Sequence, residues 1–396
     1  MTSNSKLPQP TDLAIEHSQR LVNHIQQSLS PDQSSLSFAD YMQQVLYAPN
    51  LGYYSNGLTK IGADGDFITA PETSSLFSKC LAKQASQVLA QLSTPNIIEF
   101  GAGRGIMARD ILLELAELNQ TIEHYYIIEL SSELKRIQKQ TLNALPDILK
   151  NKVIWLNQLP QQPISAVVLA NEVIDAMPVE IIKLLPEQVC QAHVKFETDS
   201  TANWQFKPIN PDNNELKNRI KEIQTLIGIP SPKGYQTEIN LNITPWIASI
   251  ADFLSEGLLL IVDYGYSRTE YYQPAREMGT FRCHYQHLAH ADPFFYPGLQ
   301  DLTAHVDFTA VAEAGFEAGF DIDGFTTQAH FLMASGLLEM ANQFEHDSPD
   351  SIKIAQQIKT LTMPNEMGES FKVIGMTKNV ADPLIGFQIQ NLLHTL

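Results

Sequence analysis

Seven residues decide the fold of this chain: Glu99-Phe100-Gly101-Ala102-Gly103-Arg104-Gly105, which stand between an apolar strand pattern and a helical pattern. Ile97 and Ile98 supply the strand side. Beyond the turn, apolar residues recur with the spacing of a helix that packs on a sheet: Met107, Ile111, Leu115 and Leu118. Glycine lacks Cβ and tolerates positive φ, so three alternate glycines let the backbone turn sharply and approach a bulky ligand.

The spacing within this turn distinguishes among the nucleotide, dinucleotide and S-adenosylmethionine sites that use such turns. The dinucleotide fingerprint needs Gly or Ala where this chain has Ile106, which disfavours a nicotinamide dehydrogenase. A phosphate loop would end in Gly-Lys-Ser or Gly-Lys-Thr, which this turn does not. The triad resembles the first motif of class I S-adenosylmethionine-dependent methyltransferases. That resemblance implies cofactor contacts from Glu99, Gly101, Ala102, Gly103 and Gly105.

An acidic residue follows the next strand pattern. Residues 125–128 read as a buried strand that ends in Glu129, and Ser131 is the predicted N-cap of the following helix. Both hydroxyls of a ribose can donate to one carboxylate, so Glu129 is a candidate ribose ligand. The alternative is that Glu129 only favours the start of that helix. Asn157, just past the third strand, is a candidate for the adenine amino group, or else a polar loop residue.

Composition limits the partners and the compartment. The 396 residues include 26 basic and 44 acidic side chains, so the formal charge is −18. This charge disfavours nucleic acid and anionic membranes and favours a cationic substrate. The longest apolar run, residues 258–262, is far too short to cross a bilayer, so we expect no membrane insertion. The oligomeric state stays open.

Three cysteines lie far apart in the sequence, at Cys80, Cys190 and Cys283. Their odd number and wide spacing predict neither a disulfide framework nor a zinc site, which fits a reducing, cytoplasmic setting. The first ten residues lack the Arg-rich character of a transit peptide, so we expect a bacterial cytoplasm.

Strand and helix patterns alternate from residue 96 onward. Strands are predicted near 96–100, 124–129, 152–156, 164–170, 257–263, 320–328 and 371–377, which indicates an α/β fold with a doubly wound, largely parallel sheet. We expect an N-terminal helical and loop cap over 1–92 and a Rossmann-like core over 93–396, with insertions at about 180–240 and 267–300. The class I methyltransferase resemblance adds one antiparallel strand, whose direction periodicity alone does not reveal.

Carboxylates follow the strand at 164–170, where ligand crevices of open α/β sheets lie. Glu172 and Asp175 are the candidate catalytic residues, because carboxylates can pair with the N–H groups of a cationic acceptor and orient it for methyl transfer. Asn171 is assigned to the methionine end of the cofactor or to the shape of the loop. The alternative is that both carboxylates are only turn formers and helix caps.

Six phrases in order resemble the MidA-type methyltransferases, relatives of the mitochondrial complex I assembly factor that methylates arginine. The phrases are residues 47–54 (YAPNLGYY), 65–72 (GDFITAPE), 99–105, 171–178 (NEVIDAMP), 263–265 (DYG) and 301–308 (DLTAHVDF). The resemblance implies S-adenosylmethionine as cofactor, S-adenosylhomocysteine as product and an arginine of a partner protein as acceptor. A respiratory complex subunit is the kind of partner it implies.

The resemblance also implies site residues outside the sheet edge. Thr69 and Pro71 are assigned to the cofactor, and the substrate residues are Asp66, Glu72, Tyr54, Arg282 and His287. A capped helix start explains residues 69–72 equally well. Ordinary packing is the alternative for Tyr54, and a surface position is the alternative for His287.

Two further hypotheses concern metals and catalysis. His284, His287 and His290 would share one side of a helix, with His305 nearby in sequence, but no Cys or carboxylate set completes a zinc shell, so we expect no metal. The chain is predicted to be an enzyme, a protein arginine methyltransferase. The alternative function is an assembly or scaffold protein that binds S-adenosylmethionine with little or no catalysis.

Overall fold

A computed structural model describes residues 7–30, 34–56, 69–197, 201–228, 233–342 and 349–396. The chain splits into two compact units. Unit 1 comprises Met1–Phe67, Asp175–Asn242 and Arg268–His305, and unit 2 comprises Ile68–Ile174, Ile243–Ser267 and Val306–Leu396.

The described helices and strands are numbered in chain order. The helices are α1 (Asp12–Ser28), α2 (Phe38–Tyr47), α3 (Ala70–Thr73), α4 (Ser75–Leu89), α5 (Ile106–Glu117), α6 (Ser132–Leu142), α7 (Asp147–Lys150), α8 (Asn214–Ile227), α9 (Ile243–Phe253), α10 (Arg268–Tyr271), α11 (Phe308–Glu317), α12 (Gln328–Ala334), α13 (Leu337–Ala341) and α14 (Pro349–Thr362). The strands are β1 (Leu36–Ser37), β2 (Asn96–Phe100), β3 (Tyr125–Ile128), β4 (Val153–Leu156), β5 (Ile164–Asn171), β6 (Glu180–Leu184), β7 (Val189–Phe196), β8 (Ala202–Pro208), β9 (Tyr235–Ile239), β10 (Leu254–Tyr266), β11 (Arg282–Tyr285), β12 (Leu288–His290), β13 (Asp301–Thr303), β14 (Val306–Asp307), β15 (Asp321–Thr327) and β16 (Phe371–Lys378).

Unit 2 is built on a mixed sheet whose strands run in the order β15-β16-β10-β5-β2-β3-β4, with β14 pairing with β10. Within this order, β10, β5, β2, β3 and β4 run parallel to one another. The last strand, β16, is antiparallel to β10 and to β15, between which it lies. The α/β class, the doubly wound parallel strands and the single reversed strand are therefore confirmed.

The glycine turn joins β2 to α5 with the backbone that the sequence predicts. Gly101, Gly103 and Gly105 have φ values of 62°, 49° and 80°, in the left-handed region that glycine adopts without a steric penalty. The predicted apolar stripe of α5 is buried at Met107, Ile111 and Leu115. Leu118 does not continue this stripe, because it caps the helix and is 40% exposed.

The core of unit 2 includes helix α4, which the sequence analysis assigned to a cap over residues 1–92. Leu81, Ala85 and Val88 of α4 are buried in the same apolar cluster as Ile111 of α5 and Val167 of β5. The difference has a simple cause, because an amphipathic helix pattern shows that one face is buried without showing which partner covers it.

Unit 1 combines three chain segments around its own apolar core. One sheet has the order β1-β7-β6-β9, with β8 pairing with β7, and a second has the order β12-β11-β13. The core includes Phe38 and Tyr41 of α2, Ile181 of β6 and Leu302 of β13. The segment 268–305, which contains most of the insertion predicted at about 267–300, therefore includes three strands, β11, β12 and β13.

The histidine-rich segment is a β-hairpin and not a helix. Strands β11 and β12 pair antiparallel, with His284 opposite Ala289 and Cys283 opposite His290. Gln286 and His287 form the turn with positive φ values of 46° and 63°. The helix that would place His284, His287 and His290 on one side is therefore absent here, because β11 pairs with β12 and with β13, a strand about twenty residues away that local periodicity cannot reveal.

Candidate functional site

The predicted cofactor residues of unit 2 stand side by side at the carboxyl edge of its sheet. Phe100 of β2 is in register with Ile128 of β3 and with Ala170 of β5. The residues that follow these positions are Gly101, Glu129 and Asn171. Neighbouring strands lie about 4.8 Å apart, so the register places these three residues along one rim. Asn157 joins them, because Ile128 pairs with Leu156 of β4.

Glu99 is buried one position before the end of β2. Its Oε2 accepts a hydrogen bond from the Tyr125 hydroxyl at 2.8 Å, and the residue is 1% exposed. Burial raises the pKa of the Glu99 carboxyl to about 8, the bond from Tyr125 lowers it, and the charge of Glu129 raises it further. At neutral pH this side chain is therefore mainly uncharged, and its described hydrogen bond lies inside the sheet.

Glu129 is anchored on both carboxylate oxygens. Oε1 accepts from the backbone N–H of Ser131 at 2.8 Å, and Oε2 accepts from Nε2 of Gln138 at 3.0 Å. Burial raises the pKa of Glu129, and the bonds from Ser131 and Gln138 oppose that rise. A carboxylate offers about four lone-pair sites, so Glu129 can accept from ribose hydroxyls in addition to these bonds. The predicted N-cap is present as well, because the Ser131 hydroxyl accepts from the Leu134 N–H at 3.3 Å.

The end of β5 carries Asn171 and Glu172. Glu172 has a φ of 52°, which is unusual for a residue with a side chain and often marks a functional site. Its N–H donates to the Val262 carbonyl at 2.9 Å, and its Oε1 accepts from Nδ2 of Asn171 at 3.3 Å. Among the residues that the structure describes, the buried Oδ1 of Asn171 has no hydrogen-bond partner. An unused buried acceptor at the rim fits a ligand that brings its own donor.

Asn157 is an exposed residue at the same rim. Its side-chain oxygen accepts a hydrogen bond from the Lys135 ammonium group. The amide remains accessible to a ligand from the solvent side. The adenine assignment of Asn157 stays a prediction.

The start of α3 supplies the other predicted residues of unit 2. Thr69 is the N-cap residue, but its side chain accepts no capping hydrogen bond, while Pro71 lies within the first two helical positions. Glu72 lies 3.5 Å from the Arg104 guanidinium of the glycine turn. Burial raises the pKa of Glu72, and the positive charge of Arg104 opposes this. Asp66 lies outside the described residues.

Unit 1 contains a buried acidic and phenolic cluster around Tyr54. The Tyr54 hydroxyl lies 2.9 Å from both carboxylate oxygens of Asp301, and Oδ1 of Asp301 also accepts from the Leu302 N–H. Burial, followed by the negative charge of Asp301, raises the pKa of Tyr54 well above its usual value, and Asp175 adds to this rise. Tyr54 therefore remains a neutral donor. Asp301 and Asp175 are 3% and 5% exposed.

The remaining predicted residues of unit 1 lie at the hairpin. Arg282 and His287 are exposed, and Arg282 donates to the Phe281 carbonyl at 2.6 Å. Asp175 and Glu172 belong to different units, since the boundary falls between Ile174 and Asp175.

Across the described residues, no group of three or more His, Cys, Asp or Glu side chains is placed to hold a metal ion.

The structure adds three residues to which sequence reasoning gave no role. Asp301 contacts Tyr54, Gln138 contacts Glu129, and Asp263 accepts from the Ile174 N–H at 3.0 Å next to the Glu172 turn. One signal was available for Gln138, because this polar residue shares the buried face of α6 with Leu142. Asp301 and Asp263 each begin one of the six phrases, but local sequence does not show which backbone groups they contact.

Comparison with a family model gives a match over residues 80–326, to a family described as S-adenosyl-L-methionine-dependent methyltransferases. A crystal structure of a Burkholderia thailandensis protein, described as a methyltransferase and bound to S-adenosyl-homocysteine, matches with a TM-score of 0.93. It is 36% identical, and the match covers 99% of this chain and 100% of that one.

Curated relatives carry a more specific name. The Drosophila melanogaster protein arginine methyltransferase NDUFAF7 homolog, mitochondrial, is 28% identical over 383 residues, which is 88% of this chain and 84% of that protein. The human protein arginine methyltransferase NDUFAF7, mitochondrial, is 25% identical, with 86% and 80% covered. Both matches extend well beyond the glycine turn.

Proposed function

Because this chain belongs to the family of S-adenosyl-L-methionine-dependent methyltransferases, we propose that it methylates an arginine side chain of a partner protein. The cofactor is S-adenosylmethionine, as the glycine turn predicted, and the product is S-adenosylhomocysteine. The predicted family resemblance is likewise confirmed. Arginine as the acceptor is supported by the names of relatives at 25–28% identity and by the acidic side chains described above.

The rim of unit 2 fits the cofactor chemically. We assign the ribose hydroxyls to Glu129, the adenine amino group to Asn157 and the methionine end to the unused oxygen of Asn171. The turn adopts the left-handed backbone that glycine allows without a steric penalty, which is typical of a backbone that approaches a ligand closely. Leu130, which is 79% exposed beside Glu129, offers an apolar surface for the adenine ring. Glu99, Thr69 and Pro71 remain assigned to the cofactor as predictions.

An arginine acceptor needs carboxylates because its guanidinium is protonated in water. Glu172 and Asp175 remain the assigned catalytic residues, since either carboxylate by itself can pair with the N–H groups of a guanidinium, orient one nitrogen and take up the proton that this nitrogen loses. Bound S-adenosylmethionine supplies a methyl carbon on a sulfonium, so the new N–C bond forms as the electron pair of the C–S bond passes to sulfur. The φ of 52° at Glu172, held by the bond to Val262, is the single observation that carries this assignment.

The cluster in unit 1 supports a cationic acceptor independently. Asp301 and Asp175 place carboxylates among buried side chains, where the lower dielectric strengthens attraction for a cation. Tyr54 stays neutral and orients Asp301. We assign Tyr54, Arg282, His287, Asp66 and Glu72 to recognition of the partner protein.

The compartment that we propose is a reducing cytoplasm of a bacterial cell. All three cysteines are buried free thiols. Within the described residues, no helix combines the length and the apolar character that crossing a membrane requires.

The experiment is transfer of labelled methyl groups from S-adenosylmethionine to proteins in a lysate of the native host. We expect label in methylarginine after acid hydrolysis, and loss of at least about 90% of it with Glu172→Ala or Asp175→Ala. Glu123→Ala is the matched control, since Glu123 is an exposed carboxylate at the opposite, amino-terminal edge of the sheet. Cofactor binding without any label on protein would instead support the scaffold function, and label on another amino acid would overturn arginine as the acceptor.

A further inference from the structure

A buried amide links the glycine turn to the acidic end of β3. Gln138 of α6 is fully buried, and its Nε2 donates to the Gly103 carbonyl and to Oε2 of Glu129, both at 3.0 Å. Its Oε1 accepts from the indole Nε1 of Trp155 at 2.9 Å. One side chain thus contacts β4, the glycine turn and the rim residue Glu129.

The chemistry of the partners fixes the orientation of this amide. An indole N–H is only a donor, so the Gln138 oxygen must face Trp155, and the amide nitrogen must face the two acceptors. Both amide hydrogens are then used, one on the carbonyl and one on the carboxylate. A buried amide with all its donors satisfied resists rotation, because any other rotamer would leave polar atoms unpaired.

We propose that Gln138 is a positioning residue for the ribose of the cofactor, holding the Glu129 carboxylate at a set distance from the glycine turn, with Trp155 fixing the amide orientation. This inference rests on the assignment of the ribose to Glu129 in the proposed function. Gln138 uses only one lone-pair site of the Glu129 carboxylate, on Oε2, so it does not itself prevent the carboxylate from accepting ribose hydroxyls.

A role limited to structure would give a different pattern of binding. If Gln138 only stabilised α6, its removal would weaken the binding of every ligand of the rim to a similar degree. A residue that acts through Glu129 affects only ligands that carry ribose hydroxyls. The two roles therefore separate in a cycle that combines protein variants with a ligand lacking these hydroxyls.

The test is calorimetric titration of the full chain with S-adenosylhomocysteine and with its 2′,3′-dideoxy analogue. We expect Glu129→Ala to raise the Kd for S-adenosylhomocysteine about 5- to 150-fold and Gln138→Leu to raise it about 10-fold. Trp155→Phe keeps a ring but removes the N–H donor, and we expect an increase of about 3-fold. For the dideoxy analogue, all three variants are expected to stay within about 2-fold of the wild type.

Gln140→Leu is the matched control, because Gln140 lies on the same helix with its side chain exposed. We expect this control to bind both ligands like the wild type. If Gln138→Leu does not fold, as judged by its thermal unfolding, the Trp155→Phe variant carries the test, since it leaves Gln138 in place.

The outcomes distinguish the positioning role of Gln138 from the assignment of the ribose to Glu129. Equal weakening of both ligands by Gln138→Leu or Trp155→Phe, or no weakening of either, overturns the positioning role. An unchanged Kd in Glu129→Ala overturns the ribose assignment and the positioning role with it. Neither result depends on an acceptor, so the arginine methylation proposal is tested separately by label transfer.

Discussion

The candidate residues of unit 2 and those of unit 1 are organised in different ways. In unit 2, Gly101, Glu129 and Asn157 each directly follow a strand and Asn171 is the last residue of another strand of the same sheet, so strand register alone aligns them. In unit 1, Tyr54 and Asp301 come from segments 247 positions apart and meet through tertiary packing. A row of residues at one edge of a sheet can therefore be inferred from sequence periodicity, whereas the contact between Tyr54 and Asp301 becomes visible only when the fold is known.

The largest expected effect concerns the glycine turn of unit 2. Gly103→Val adds a branched side chain at a φ of 49°, where side chains are disfavoured, on the turn assigned to the cofactor. We expect the Kd for S-adenosylhomocysteine, measured by calorimetry, to rise at least about 100-fold, while thermal unfolding remains cooperative.

The control for this substitution is Gly319→Val. Gly319 also has positive φ, at 85°, and an added Cβ would meet no atom within 4 Å. It precedes β15, at the opposite edge of the sheet. Equal loss of affinity in both variants would mean that strain alone, and not the position of the turn, causes the effect.

A second prediction concerns the interior of unit 2 and uses pH. Burial raises the pKa of Glu99 from the ordinary value of 4.5 to about 8 in the folded protein. The hydrogen bond from Tyr125 lowers this pKa, and the charge of Glu129 raises it. Between these values the folded state binds more protons than the unfolded state, so Glu99 makes stability fall as pH rises. From pH 6 to pH 8, the free energy of unfolding of the wild type relative to Glu99→Gln is expected to fall by about 2 kcal/mol.

Urea denaturation of both proteins at the two pH values checks this prediction. The Gln variant has no titrating group at position 99, so buried carboxyls that do not interact with Glu99 cancel in the difference. A difference that stays constant, or grows with pH, would show that Glu99 is ionised in the folded protein.

The smallest effect tests unit 1. Asp301→Asn keeps the shape of the side chain but removes its negative charge beside Tyr54. We expect the rate of label transfer to protein to fall about 10-fold, with the Kd for S-adenosylhomocysteine within about 2-fold of the wild type.

Asp212→Asn, at an exposed position of unit 1, is the control and should transfer label normally. If Asp301→Asn weakened cofactor binding as much as it slowed label transfer, the candidate residues of unit 1 would not act separately from the cofactor residues of unit 2.

The sequence predicted the unit 2 strands well because each is a short apolar run between turn signals. The strand predicted at 164–170 is Ile164–Asn171, and the last strand, predicted at 371–377, is Phe371–Lys378. The direction of β16 required the family resemblance, since antiparallel pairing with β10 is a tertiary property. The glycine conformations followed from residue type alone.

The sequence predicted unit 1 less completely because its elements are short and pair with distant partners. The segment around three histidines was predicted as an irregular insertion, whereas β11 and β12 form a hairpin there, stabilised by β13. The same limit applies in unit 2, where Glu172 was predicted as a carboxylate at a strand end, but not with its left-handed backbone, which depends on the bond to Val262 in another strand. Non-local hydrogen bonds explain both differences.

The most direct test of the account is a crystal structure of the chain with S-adenosylhomocysteine. We predict both ribose hydroxyl oxygens within about 2.5–3.2 Å of the Glu129 carboxylate oxygens, with the ligand against the backbone of Gly101–Gly105. A ligand bound elsewhere, or a ribose beyond hydrogen-bond distance of Glu129, would contradict the assignment of the cofactor to the rim of β2, β3 and β5.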